Sequence, residues 1–118
     1  DPDLIITHSS SDLNRDHRIV AEAAKIMGRP RRKPVSILAC EIPSVAVWNG
    51  ETFKSQYYVH LSEEQLQTKI AAFKCYQNEL KQFPDPYSDE GLETLARFRG
   101  MESGSKAAEA FEIIRWNG

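Results

Sequence analysis

Short apolar segments alternate with longer segments of helical periodicity along this chain, and no other feature of the sequence limits the fold as much. The short segments are runs of aliphatic, β-branched and aromatic residues, which are typical of buried strands. The longer segments repeat apolar residues every three or four positions, as amphipathic helices do. Alternating strands and helices predict an α/β fold with helices flanking an open sheet. The predicted strands are residues 3–8, 35–40, 46–48, 57–61 and 111–116.

Three helices are predicted between these strands. Gly28 supplies the stop signal of the first helix, and a capping-box pattern at Ser62 and Gln65 opens the second. The predicted helices begin near residues 14, 62 and 88 and end near residues 28, 84 and 100. The apolar stripe that the first helix is expected to bury consists of Ile19, Val20, Ala23, Ala24 and Met27.

The first predicted strand, residues 3–8, is apolar enough to be a central strand with helices over both faces. Such a strand needs neighbours on both sides, because an unpaired apolar edge promotes association. No βαβ unit precedes it in this sequence. We therefore expect the chain to be part of a larger domain, and to associate with another polypeptide or with a second copy of itself.

Length and charge exclude several classes of protein. The chain has 118 residues, which suits one small domain. A net charge of -2 predicts no nucleic-acid partner. No run approaches the roughly 20 apolar residues of a membrane-spanning helix, and no signal peptide is visible. Cys40 and Cys75 form no paired motif, so both are expected to be reduced, in a cytoplasmic protein.

The segment from Asp12 to Arg18 carries the chemistry, because it places two carboxylates, an amide and an imidazole between a strand and a helix. Ligand crevices in open α/β sheets form at that end of a strand. The imidazole of His17 can bind zinc, and an adjacent carboxylate can orient it. On spacing alone, a helix cap beside a solvated histidine is the more frequent outcome. His8 is able to approach His17 across the loop, whereas His60 is expected to lie elsewhere.

This segment resembles a signature of the LmbE-like (PIG-L) family of zinc-dependent de-N-acetylases. In that family a strand ending in Thr-His leads through an Asp-rich loop to Asp-His-Arg at the start of a helix. Here Thr7-His8 ends the strand and Asp16-His17-Arg18 opens the helix. Other segments resemble the aromatic strand, the long helix and the closing motif of the family. These segments are residues 53–61, 69–73 with 76 and 77, 99–100, and 108–115.

The resemblance assigns a role to each polar residue of the segment. It implies that His17 is the third zinc ligand of the family and that Asp16 is the neighbouring catalytic carboxylate. Asn14 stands where the family has a histidine, and an amide contributes only hydrogen bonds, because it is no general acid. Asp12 falls near a tyrosine that assists the oxyanion in some members, so we assign it to substrate binding. Arg18 is assigned to substrate binding too, with an anchoring role inside the fold as the alternative.

The first motif of the family, His-Pro-Asp-Asp-Glu, has no counterpart in this sequence. In the family it supplies two zinc ligands and the general base. The resemblance therefore implies the C-terminal part of a Rossmann-like enzyme that lacks its N-terminal βαβ portion. One zinc ion would be shared with an N-terminal half, and the substrate would be an N-acetylated amino sugar or its conjugate. A truncation, a cleavage product and a natural split stay open.

A non-catalytic role is the alternative. By itself this sequence offers one convincing metal ligand and no general base, so the chain would bind or support a partner rather than catalyse a reaction. That partner would be the N-terminal half or a second copy of the chain.

Overall fold

The computed structural model of the protein describes residues 2–50 and 53–118. In that part of the chain, strands and helices are interspersed, as they are in α/β proteins. The elements are β1 (Leu4–Thr7), α1 (Arg15–Met27), β2 (Ser36–Cys40), α2 (Pro43–Trp48), β3 (Tyr57–His60), α3 (Glu63–Lys74), α4 (Asp89–Ser103) and β4 (Ala108–Arg115).

The four strands form one open sheet in the order β1-β2-β4-β3. β1 runs parallel to β2, with Thr7 opposite Ala39, and β4 runs antiparallel to β2. The predicted α/β class is therefore confirmed as a mixed sheet with flanking helices. No helix in the described ranges has the length and apolar character needed to cross a membrane.

Two compact units make up the chain. The first comprises Asp1–Tyr57 with Phe111–Gly118 and contains β1, α1, β2, α2 and the C-terminal part of β4. The second is Tyr58–Ala110 and contains α3 and α4. The polar segment that sequence analysis singled out lies in the first unit.

The core of the first unit forms where α1 packs against the sheet. Ala21 and Ala24 are the buried residues of α1, and Ile37 of β2 is fully buried. A Cβ added to Gly28, the C-cap of α1, would lie 2.6 Å from Cδ1 of Ile37, so this end of the helix packs on the sheet with little room for a side chain. The predicted stripe is wrong for four of its five members, because only Ala24 is buried. The exposed members are Ile19, Val20, Ala23 and Met27.

β1 occupies an edge of the sheet rather than its centre. Among the described strands β2 is its one neighbour, and Leu4 and Ile6 are 42% and 55% exposed. Ile5 is half-buried and Thr7 is buried, so the strand is covered on one face alone. Within the described residues β1 is an edge strand, and the prediction that it is central, with further neighbours supplied from outside this sequence, stays a prediction.

The predicted strand at residues 46–48 is also wrong, since this segment belongs to α2. Pro43 stands in the first turn of that helix, where its fixed φ suits helical backbone and its missing N–H leaves no bond unmade. Val45 is buried on the inner face. Six residues are too few for helical periodicity to separate a helix from a strand.

In the second unit, the capping box of α3 is confirmed. The Ser62 hydroxyl accepts from the Gln65 N–H at 3.1 Å, and the Gln65 side chain accepts from the Ser62 N–H at 2.9 Å. The helix ends at Lys74, about ten residues before the predicted stop. The hydrogen bonding changes there from the α-helical to the 3₁₀ pattern, because the N–H groups of Cys75 and Tyr76 bond to carbonyls three residues back. The core residues of this unit are Leu66, Ile70, Leu92, Ala96 and Ala107.

We expect Gly100→Ala to lower the free energy of unfolding by on the order of 2 kcal/mol. Alanine normally stabilises a helix interior by about 1 kcal/mol relative to glycine. Here the new Cβ would lie 2.6 Å from the Ala107 nitrogen and 2.7 Å from the Ser105 carbonyl oxygen, and neither backbone atom yields easily. Urea unfolding followed by circular dichroism measures the change. Gly50→Ala is the control, since its Cβ meets nothing within 4 Å; equal stability of both variants would contradict this packing.

Candidate metal centre

The loop between β1 and α1 holds the candidate site at the carboxyl end of a parallel strand, as the sequence predicted. β1 ends at Thr7 and α1 begins at Arg15. Asn14 is the N-cap of α1, and its side-chain oxygen accepts from the Asp16 N–H at 2.8 Å. This bond satisfies one of the unpaired donors of the first helical turn. The cap therefore fixes the direction in which the next residues of α1 project.

Asp12 is the centre of the loop and is 2% exposed. One carboxylate oxygen accepts from the Asn14 N–H at 2.8 Å, and the other lies 3.0 Å from His17 Nδ1. Its backbone N–H donates to the Ser9 carbonyl at 3.2 Å. Its carbonyl accepts from Arg18 Nη1 at 2.7 Å. Because each polar group of Asp12 has a partner, the loop is held in one conformation around it.

The contact with Asp12 determines how His17 presents its ring. A carboxylate accepts hydrogen bonds and does not donate them, so Nδ1 of His17 carries the proton and donates to Asp12 at 3.0 Å. The lone pair of the neutral imidazole is then on Nε2. A histidine that donates one ring nitrogen to a carboxylate and offers the other to an ion is the usual metal-binding arrangement. The side chain is 31% exposed, so a ligand can reach it.

His8 lies directly on His17. The two rings stack with centroids 4.0 Å apart and planes 6° from parallel. Nδ1 of His8 is buried and has no hydrogen-bond partner in the part of the chain that the structure describes. Burial lowers the pKa of His8, the neighbouring His17 lowers it further, and the Asp12 carboxylate opposes both. These influences favour neutral imidazole, which is the form that binds metal ions.

His8, Asp12 and His17 together form a cluster that could hold a metal ion, since one ligand atom of each lies within 4.8 Å of the others. The geometry makes the three unequal. An imidazole lone pair lies in the plane of its ring, so two parallel stacked rings do not direct their lone pairs at one point. One ring has to rotate before both bind the same ion at about 2.0–2.1 Å. His17, oriented by Asp12, is therefore the preformed ligand.

The other predicted site residues occupy different positions. Asp16 is exposed on the first turn of α1, and the carboxylate that contacts His17 belongs to Asp12. Asn14 serves as the helix cap. Arg18 donates to the carbonyls of Asp12 and Leu13 at 2.7 and 3.1 Å, which closes the loop. These contacts anchor Arg18 to two backbone carbonyls of its own loop. The assigned catalytic and substrate roles of all these residues stay predictions.

Sequence reasoning treated His8 as able to approach His17, and the structure confirms that proximity. It missed the residues that hold the loop from outside. The hydroxyl of Ser9 donates to Glu112 Oε1 at 3.1 Å, and the Asn49 side chain donates to the Ser11 carbonyl. Glu112 is 103 positions away from Ser9, and no local pattern marks such a contact. His60, the remaining histidine, is exposed in β3.

No family model matches this chain, and no curated protein matches it. The resemblance to the de-N-acetylases therefore stays a proposal, while the geometry of the cluster stands by itself.

In the metal-free protein we expect the pKa of His8 to lie below 6.5, the ordinary value for histidine. Asp12→Asn should lower this pKa further, because it removes the negative charge that opposes the shift. An NMR titration of the His8 ring protons in the presence of a chelator measures both values. Asp16→Asn is the control, since that carboxylate is exposed. A His8 pKa at or above 6.5, or one that rises in Asp12→Asn, would contradict the described packing.

Proposed function

We propose that this chain supplies one side of the metal centre of a zinc-dependent hydrolase that removes an N-acetyl group from an amino sugar or its conjugate. The observation that carries the proposal is the pairing of His17 with the buried Asp12 at the carboxyl end of β1. The reaction and the substrate class come from the resemblance to the LmbE-like family. The same resemblance makes the chain the C-terminal part of a Rossmann-like domain.

The donors in the cluster suit zinc, which binds imidazole nitrogen and carboxylate oxygen. A catalytic zinc ion has three protein ligands and an open position. In the proposal one ion is shared, with His17 as the ligand from this chain and the His-Pro-Asp-Asp-Glu motif of an N-terminal half as the source of the rest. His8 stacks on His17 and is a second residue of this chain that could bind the ion, because its buried Nδ1 lacks a hydrogen-bond partner among the described residues.

Zinc would act as a Lewis acid on the acetamide carbonyl. The residues of this chain prepare the site for it. Asp12 holds His17 in the tautomer that presents Nε2, and Arg18 holds the carbonyls of the same loop. Asn14 caps α1 and accepts from the Asp16 N–H, and the proposal gives both residues a role near the reacting groups. The general base would come from the N-terminal half.

A non-catalytic supporting role is the second candidate, and the edge of the sheet favours it. β1 leaves Leu4 and Ile6 exposed, and α1 exposes Ile19 and Met27. An apolar surface of this kind marks a site of association, which is what a subunit that supports an N-terminal half or a second copy would offer. Cys40 and Cys75 form no disulfide with each other, and we propose a cytoplasmic location for either role.

Zinc binding by the chain is the first test. We expect the chain alone to bind one Zn²⁺ weakly, and to bind it tightly only together with a polypeptide that carries the His-Pro-Asp-Asp-Glu motif. Competition with a chromophoric chelator measures both affinities, and we expect His17→Ala to abolish the tight binding. Asp12→Asn should weaken it by about 10–100-fold, because a ligand histidine without its carboxylate loses its fixed orientation. His60→Ala is the matched control and should bind as the unsubstituted chain does, since His60 is an exposed residue of β3.

The same variants test the reaction when the chain is produced with a polypeptide that carries a His-Pro-Asp-Asp-Glu motif. The assembled protein should bind zinc more tightly and release acetate from an N-acetylated amino sugar, and His17→Ala should remove both properties. Unchanged zinc content in His17→Ala would show that the ligand is wrongly assigned. Tight zinc binding without acetate release would favour the supporting role.

A further inference from the structure

Glu112 of β4 reaches the loop that carries the candidate metal ligands. In the sheet it stands opposite Ala39 of β2, and Ala39 stands opposite Thr7, the last residue of β1. Glu112 is thus two strands away from the point where the loop begins. Its Oε1 accepts the Ser9 hydroxyl at 3.1 Å and the Lys54 backbone N–H at 3.4 Å. The carboxylate therefore ties the loop to a strand on the far side of β2.

The Ser9 hydroxyl has all its hydrogen bonds assigned once this contact is counted. A hydroxyl has one proton and two lone pairs. The proton of Ser9 goes to Glu112, because a carboxylate only accepts. The 2.8 Å contact with the Ser11 hydroxyl must then have Ser11 as the donor, and the Ser11 N–H donates to the same oxygen at 3.2 Å. Ser9 is 1% exposed, so in the folded protein these bonds are not shared with bulk water.

Ser9 in turn fixes the position of Asp12. Its carbonyl accepts the Asp12 N–H at 3.2 Å, which closes the turn between them. Asp12 then pairs with His17 at 3.0 Å. A chain of direct hydrogen bonds thus leads from Glu112 through Ser9 and Asp12 to the imidazole that would bind the ion.

We propose that Glu112 is a positioning residue of the metal centre, acting through Ser9 on Asp12 and His17. The proposal rests on the proposed function, because it requires that the cluster binds zinc. Without the carboxylate, the Ser9 proton can turn only toward the Ser11 hydroxyl at 2.8 Å among its described partners, where it competes with the Ser11 proton, and the turn loses its bond to β4. The turn shifts as a result, and Asp12 no longer holds His17 in place.

The test compares Zn²⁺ affinity in variants of the full 118-residue chain produced together with the motif-bearing polypeptide, measured by competition with a chromophoric chelator. Glu112→Ala should weaken binding by about tenfold, as loss of an outer hydrogen-bond partner does in other metal sites. Glu112→Gln should restore affinity to within about threefold of the original, since its amide oxygen still accepts the Ser9 proton. A residue needed only for its negative charge would not be rescued in this way.

Glu109→Ala is the matched control. It removes a carboxylate from the same strand, and that carboxylate pairs with Lys69 rather than with the loop. Its zinc affinity should be unchanged. Ser9→Ala tests the contact from the other side and also covers the case in which Glu112→Ala does not fold. Ser9→Ala should weaken zinc binding at least as much as Glu112→Ala does, since it also removes the acceptor of the two Ser11 donors. The double variant should bind no more weakly than Ser9→Ala, because both substitutions remove the bond between Ser9 and Glu112.

Two failures can be told apart. If the unsubstituted chain binds no zinc, alone or with the motif-bearing partner, the proposed function fails and this inference fails with it. If the chain binds zinc while Glu112→Ala and Ser9→Ala bind it equally well, the metal centre stands and the role of Glu112 is overturned. Additive effects in the double variant would also overturn it, because they would show that Glu112 and Ser9 act separately.

Discussion

The hydrogen bond between the buried Asp12 carboxylate and Nδ1 of His17 is the interaction on which the site depends. Burying a carboxylate is unfavourable unless donors surround it. Hydrogen bonds to charged groups stabilise by about 1.5–3 kcal/mol each, and Asp12 accepts two through its side chain, from His17 and Asn14. The same bonds that make its burial tolerable also fix the tautomer of His17, so the stability of the loop and its chemistry have one cause.

The surrounding fold explains why this loop is well defined. α1 lies close to the sheet because its contact face is small, at Ala21, Ala24 and Gly28. Its N-terminus is therefore fixed relative to the end of β1, and a helix cap at Asn14 sets the direction of its first turn. Glu112 reaches the same loop from β4. The loop is thus held by β1 at one end, by the capped start of α1 at the other, and by the hydrogen bond to Glu112 of β4.

Features that depend on neighbours in sequence were predictable, and features that depend on distant contacts were not. The capping box at Ser62, the start of α1 and the position of His17 after a strand all follow from local patterns. The place of β4 between β2 and β3 does not, because local patterns carry no information on strand order. The resemblance assigns the neighbouring carboxylate to Asp16, whereas the i to i+5 contact across the cap brings Asp12 to the ring. Glu112 had no local signal.

The tautomer of His17 tests the central claim most directly, and a two-bond ¹H–¹⁵N correlation spectrum of the metal-free chain measures it. The structure requires the proton on Nδ1, where Asp12 accepts it, and a free lone pair on Nε2. Added Zn²⁺ should then shift the Nε2 resonance of His17 and leave Nδ1 protonated. A proton on Nε2, or a Zn²⁺-dependent shift at Nδ1 instead, would contradict both the orienting role of Asp12 and the choice of His17 as the preformed ligand.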